Sequence, residues 1–420
     1  MRVTKIFLRY YPPGLGFCCR SVEGVEDIKH IDLLDLDTKT KVDQVIKEIS
    51  TKEQWLTNQP IKLMLEDAIV KLQTKLREPT KKKFYLYRSV QSHILPLTNV
   101  CFDRNGERCL TGSYDRTCRI INTQHGKEEN SLQGHSNVVF SVGYNFPTCD
   151  RIVTGSFDNT AKIWNARTAA CLTTLPGHTA EIVGAEFNPM HLDTIATASM
   201  DNTAKVFHAE TGQELMSLDY HGAEVISARF NRDGNLLLTG SFDHTAGLWD
   251  TRANISVASF RGHTAELSNC VWNFPGDLIA TSSLDSTARI WDLRNANECL
   301  FEITDHRDEV LDIAFDCTGK LLATGGTDCT ARVWSIKGEL SLLALMAGHS
   351  DEVSKVCFSP PGKVLMTASA DQTARLWLTE SGICSQVLSG HESEVFSCAF
   401  SYAGDIIITA SKDNTCRLWR

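Results

Sequence analysis

The chain has 420 residues with 42 basic and 51 acidic side chains, a formal net charge of −9. A hydrophobic share of 42% against 22% charged is that of an ordinary globular protein and excludes a mainly disordered chain. The acidic balance disfavours general nucleic-acid binding, because phosphate contacts need a basic face, and no apolar run approaches the roughly 18 residues that span a bilayer.

The amino end, MRVTKIFLRYYPPG, is basic but lacks a long apolar stretch or a small-residue cleavage site, so no secretory signal is expected. VTKIFLRYY and the run around Ile28–Leu36 read as short strands, separated by the Pro12-Pro13-Gly14 turn and a polar segment. A helix follows, with Thr40 as cap, Asp43 three residues on, and Val42, Val45, Ile46 and Ile49 on one face. A second helix opens near Pro60 with the stripe Ile61, Leu65, Ala68, Ile69, Leu72 and Leu76. Residues 1–80 therefore read as a small α+β domain, and Lys81-Lys82-Lys83 as its linker to residues 81–420. The first 80 residues hold 13 basic and 12 acidic side chains, so the remainder carries the whole acidic excess.

From residue 84 onward the chain repeats. One Asp recurs every 42 or 43 residues, at Asp115, Asp158, Asp201, Asp243, Asp285, Asp328, Asp371 and Asp413. A His stands 22 or 23 positions before each: His93, His135, His178, His221, His263, His306, His349 and His391. Thr lies four before every Asp, at Thr111, Thr154, Thr197, Thr239, Thr281, Thr324, Thr367 and Thr409. Trp lies six after it in six copies, Trp164, Trp249, Trp291, Trp334, Trp377 and Trp419, with Ile121 and Phe207 in the other two. Period-2 alternation marks strands on both sides of each Asp-centred turn. This pattern is similar to that of WD-repeat β-propellers, with four strands per blade. One repeat cannot bury its sheet faces alone, so eight copies predict a mainly β, eight-bladed propeller behind the small α+β domain.

The last repeat stops at the end of a third strand. FYLYRSV, Phe84–Val90, occupies the place before His93 that a fourth strand takes before every other His. It is expected to complete the last blade and close the ring, removing two open sheet edges.

Thr, His and Asp together invite comparison with a catalytic triad, but eight copies in one register argue for structure. The resemblance to WD repeats implies an internal chain of hydrogen bonds, from the Trp indole to the Thr hydroxyl, to His, to Asp. Its full form is expected at His135, Thr154, Asp158 and Trp164; at His263, Thr281, Asp285 and Trp291; at His349, Thr367, Asp371 and Trp377; and at His391, Thr409, Asp413 and Trp419. Ile121 and Phe207 lack the indole donor, and Ser92, Tyr220 and Asp305 replace the Gly before His, so looser or reshaped blades are expected there. No catalytic residue, metal or cofactor is expected, since histidines 42 residues apart cannot converge on one ion. The 15 cysteines include no C-x-x-C pair and read as buried apolar residues in a reducing compartment. Cys118 and Cys416 fill a repeat position, three after the Asp, that is Ala in the other copies.

Two variable registers point outward. The residue before each turn Asp is large and apolar in five consecutive blades, Tyr114, Phe157, Met200, Phe242 and Leu284. Three after the His, six blades carry Glu: Glu181, Glu224, Glu266, Glu309, Glu352 and Glu394. Both sets are expected on the narrow face of the propeller, as an apolar arc and an acidic rim that would attract a basic protein segment. The basic residue four after most Asp positions reads as strand decoration.

LRYYPPG, IDLLDL, SHILPLTNV, TGSYDRTC and SKDNTCRLWR narrow the resemblance to the dynein assembly factors with WD repeats. That resemblance implies a non-enzymatic cargo adaptor. It would link preassembled outer dynein arms to the intraflagellar transport machinery in building cilia and flagella. The implied partners are outer dynein arm subunits and a transport-complex subunit, with no nucleic acid and no membrane insertion. A monomer is expected, in the cytoplasm, the cilium or flagellum and its basal body region. The alternative is a propeller scaffold of another complex, such as a ubiquitin-ligase substrate receptor. No F-box-like helical segment is present, and no G-x-S-x-G, P-loop, H-E-x-x-H or G-x-G-x-x-G motif signals an enzyme.

Overall fold

The computed structural model describes residues 2–20, 26–53, 56, 59–77, 83–295 and 298–420, so Lys81 and Lys82 of the expected linker lie outside the described residues. The chain divides into two compact units, Met1–Lys82 and Lys83–Arg420.

In the first unit, β1 (Arg2–Arg9), β2 (Gly14–Arg20) and β3 (Glu26–Asp32) form an antiparallel sheet in that order. Alternate residues of β2, Leu15, Phe17 and Cys19, face a core completed by two helices, α1 (Val42–Lys52) and α2 (Gln59–Arg77). Val45, Ile46 and Ile49 from α1 and Leu65, Ile69 and Leu72 from α2 are buried in it, as the 3.6-residue period requires. Thr40 does not cap α1: the cap position is Lys41, which makes no side-chain capping bond. The Thr40 hydroxyl instead accepts the Asp37 amide at 3.1 Å, and its carbonyl accepts the buried Gln73 amide of α2 at 2.7 Å. The preceding turn consumes the group that the capping pattern assigned to the helix.

In the second unit the described strands form eight four-stranded antiparallel sheets, the blades of a β-propeller. Blade 2 is representative, with strands Val139–Tyr144, Arg151–Ser156, Ala161–Asn165 and Cys171–Leu175 from inside to outside. Second strands such as RIVTGS are buried over their last five residues, which explains their run of small and apolar side chains. The outer strand faces solvent and alternates. The first strand of each blade touches that of the next, and the first strand of blade 8 touches that of blade 1. The ring is therefore closed.

Blade 8 takes its fourth strand from far upstream. β4 (Leu86–Val90) pairs antiparallel with Cys416–Trp419, from Cys416↔Val90 to Trp419↔Leu86. Tyr85 and Arg420 exchange two backbone bonds of 2.9 and 3.0 Å. Both neighbouring blades hold the seam. The Phe84 amide donates to Gln386 Oε1 on blade 7 at 2.9 Å, and the Tyr87 hydroxyl donates to the Gln124 carbonyl of blade 1 at 2.7 Å.

Candidate functional site

The turn between the second and third strands organises one end of every blade. In blade 2 the fully buried Thr154 hydroxyl accepts the Trp164 indole N–H at 2.8 Å and lies 2.7 Å from His135 Nε2. His135 Nδ1 lies 2.8 Å from Asp158 Oδ2, which also accepts the Ser136 amide. Asp158 Oδ1 accepts the Thr160 amide and hydroxyl. Asn159, at φ 64°, supplies the left-handed residue that makes the turn tight, a conformation Asn tolerates. Every polar atom of the set is satisfied, which rigidifies the blade end.

The same chain of bonds joins His263, Thr281, Asp285 and Trp291; His349, Thr367, Asp371 and Trp377; and His391, Thr409, Asp413 and Trp419, with distances of 2.7–3.1 Å. Burial alone would raise the Asp413 carboxyl; the Thr415 hydroxyl, the Glu392 amide and His391 outweigh it and hold it down at about 2. Burial pushes His391 below its ordinary value despite Asp413, so its imidazole is neutral at pH 7. With both ring nitrogens committed and the Thr hydroxyl sealed from solvent, the set has no free base or accessible nucleophile.

Blades 1 and 3 are not loosened. Without the indole, His93 and His178 keep bonds of 2.8 Å to both Thr and Asp, because the buried Ile121 and Phe207 fill the space. Blade 6 is reshaped. In blade 8 a Cβ at Gly390 would stand 2.1 Å from the Arg417 guanidinium, so that Arg packs over the glycine. Asp305 fills the equivalent place in blade 6, and Arg332 turns inward. Its Nη1 lies 2.6 Å from His306 Nδ1 and 3.0 Å from Asp328 Oδ2. Burial, and then the Arg332 charge, bring His306 down to about 4. Nothing in the repeat pattern marks this change except Asp305 itself. In blades 1 and 5 the basic residue instead reaches the outer strand, as Arg119–Glu128 and Arg289–Glu302 at 2.6 and 2.7 Å.

The two outward registers meet at this same end. The amides of Met200, Phe242 and Leu284 donate to the carbonyls of Glu181, Glu224 and Glu266, each at 2.9 Å. Tyr114 and Phe157 bond in the same way to Pro96 and Val138, at 3.0 and 2.9 Å. Glu309, Glu352 and Glu394 accept the amides of Thr327, Ala370 and Lys412. Tyr114 is exposed, while Phe157, Met200, Phe242 and Leu284 are half-buried beside their turns. Phe140, a residue outside both registers, stacks on Phe157 with centroids 5.3 Å apart and extends the arc. Its position five after His135, at the start of a first strand, is the signal that could have found it. Across blades 6 to 8 the acids crowd one another. Partial burial, and then Asp351, Glu394 and Glu309, raise Glu352 above its ordinary value. Lys412 Nζ neutralises Glu394 at 2.9 Å. The face thus carries large apolar side chains in blades 1 to 5 and Glu in blades 3 to 8.

None of the 15 cysteines is in a disulfide. Burial pushes Cys101 and Cys416 up to about 12. Among the described residues no group of three or more His, Cys, Asp or Glu is placed to hold a metal, and no helix is long and apolar enough to cross a membrane.

A family model described as the IFT122 first beta-propeller matches residues 96–378. The chain belongs to this family of WD-repeat β-propellers. A second model, WD domain, G-beta repeat, matches residues 382–420 of the same propeller. Curated relatives named "Dynein assembly factor with WD repeat domains 1" are 47% identical over 155 residues in Danio rerio, 45% over 155 in Homo sapiens and 46% over 151 in Xenopus laevis. Each match takes in 36% of this chain and 36% of the relative, so the chain covers about a third of the length of those relatives. Among solved structures the propeller is similar to the computationally designed Ika8 protein, with a TM-score of 0.70 and 25% identity over 79% of this chain and 98% of that one.

Proposed function

We propose that this WD-repeat protein is a non-enzymatic scaffold acting in dynein assembly, and that it links preassembled outer dynein arms to intraflagellar transport in building cilia or flagella. It works as a monomer in the cytoplasm, the cilium and the basal body region. Its partners are outer dynein arm subunits and a transport-complex subunit. Residues 1–80 and 81–420 act as separate domains.

The printed name of the relatives and the IFT122-type match support the dynein and transport parts of this reading. The observation that carries the scaffold part is the end of the propeller with the Asp turns. There Tyr114, Phe157, Met200, Phe242 and Leu284 share one face with the acidic blades, while every Thr–His–Asp set is sealed. A partner segment with apolar and basic side chains suits that face.

The test is capture from extracts of ciliated cells, with the full chain and with residues 81–420 alone. Recovery of outer-arm subunits together with transport proteins is the expected result, and recovery of neither refutes the reading. Combined Glu309→Lys, Glu352→Lys and Glu394→Lys should weaken one partner class and flatten its salt dependence.

A further inference from the structure

The end of the propeller opposite the Asp turns is built differently in blades 2 and 3. In the six other blades the loop between the first and second strands contains a glycine at φ 68–79°, as at Gly234 and Gly319. Blades 2 and 3 have no such glycine and one extra residue, in Asn145–Asp150 and Asn188–Asp193. The extra residue accounts for their His-to-Asp spacing of 23 instead of 22. Each longer loop pushes a large apolar side chain into solvent: Phe146 is 47% exposed and Met190 64%.

Two clefts flank the blade 3 loop. One, of 340 Å³ between blades 3 and 4, has mixed walls that include Asn188, Thr194, Thr251 and Asn254, with the 45% exposed Leu215 lying over the nearly buried Val206, Met216 and Phe230. The other, of 250 Å³, lies between blades 2 and 3. Asp193 lines both. The cations lining the clefts are already engaged, Arg151 with Glu210 at 3.1 Å and Arg252 with Asp250 at 3.2 Å. Asp150 is held by Asn145 and Thr148. The exposed Asp193 carboxylate has no hydrogen bond or ion pair among the described residues. An exposed Leu215 in a mixed cleft beside an unpaired anion complements one chemistry, a large apolar side chain next to a cation.

We propose that this end of blades 2 to 4 is a second protein-docking surface, which takes an extended segment that seats an aliphatic or aromatic side chain in the blade 3–4 cleft and an adjacent Lys or Arg on Asp193. The surface goes beyond the scaffold reading above and does not depend on who occupies the Asp-turn face. It would let the propeller hold two partners at once, one at each end.

The test is selection of a phage-displayed random dodecapeptide library on the full chain, then fluorescence anisotropy of the enriched peptides. Enriched peptides should carry Lys or Arg next to Leu, Ile, Met or Phe. Asp193→Lys and Leu215→Glu should each weaken binding tenfold or more, Asp193→Asn should weaken it less, and Glu352→Lys should leave it unchanged. Both cleft positions are solvent-facing, and melting curves that match the wild type tie any loss to the surface. Failure to enrich peptides, enrichment without a basic residue, binding that ignores Asp193→Lys, or binding lost in Glu352→Lys overturns the proposal. So does self-association in sedimentation that Asp193→Lys abolishes, because the occupant would then be a second copy of the chain.

Discussion

Truncating Phe84 to alanine probes the seam where an upstream strand completes the last blade. Phe84 is 6% exposed and sits between blades 7 and 8 with Met366, Leu376, Leu388, Ile407 and Trp419, edge-on to Phe400 at 6.4 Å. Removing a buried phenyl ring costs about 3–5 kcal/mol, from lost transfer energy and the cavity left behind. At about 2.1 cal/mol/K per residue, a unit of about 340 residues unfolds with an entropy of about 0.7 kcal/mol/K, so the melting temperature should fall by about 4–7 °C. Tyr85→Ala is the control. Its side chain is 67% exposed and its backbone bonds to Arg420 survive, so its melting temperature should stay within about 1 °C of the wild type. Deleting residues 84–90 should cost more, because it also bares the edge of the Cys416–Trp419 strand and promotes association. Scanning calorimetry and light scattering read both effects. A Phe84→Ala protein that melts with the wild type would refute the reasoning.

Three further outcomes follow from the blade network. Thr154→Val strands two buried groups, the indole of Trp164 and the ring nitrogen of His135, whereas Thr197→Val strands only that of His178, so urea unfolding should show Thr154→Val about 1–3 kcal/mol worse; equal losses would mean the indole bond contributes nothing. His135, His178, His263, His306, His349 and His391 are all held below the usual range, chiefly by burial. The unfolded chain therefore binds protons first, and stability should fall as pH drops through about 6.5 toward the folded values, with His306 alone contributing a loss on the order of 1 kcal/mol at pH 5.5. The low-lying Asp carboxyls add their loss only below about 3.8, and a melting temperature unchanged between pH 7.5 and 5.5 would contradict this sign. Glu352→Lys relieves its repulsion with Glu309 and Glu394, so it should hold or slightly raise the melting temperature, by the equivalent of about 0–1 kcal/mol, while weakening partner capture; a clear loss of stability would show that the acid is structural.

The blade count and the sheet order were legible because each repeat must solve the same packing problem. Thr154 and its counterparts share one buried place, so their spacing survives as a period. The shared face of the apolar and acidic registers was legible for the same reason, since one backbone bond per blade, such as Met200 to Glu181, ties the two together. What escaped the pattern is what a single residue decides in three dimensions. Arg332 occupies an ordinary register position yet turns inward to His306 and Asp328, whereas Arg119, behind Ser92 in blade 1, reaches outward to Glu128. Thr40 satisfies the capping rule in sequence, yet the Asp37 amide reaches it first. Phe140 joins the arc by stacking on Phe157; its place five after His135 marks it as facing that end, but the stacking itself appears only in three dimensions. The extra residue of blades 2 and 3 was visible as a count of 23, but only the loops show what it exposes.

The pairing of Val90 with Cys416 also sets an order of events during synthesis. Some 320 residues must leave the ribosome before β4 meets its partner, a sequence separation that makes this contact among the slowest to form. Until then every finished blade stands in an open arc with its first and last faces bare. A stalled or truncated chain that lacks only Cys416–Trp419 would thus leave an orphan strand at one end and an uncovered blade at the other. Quality control could recognise such a chain by either surface, although nearly all of its blades would be folded.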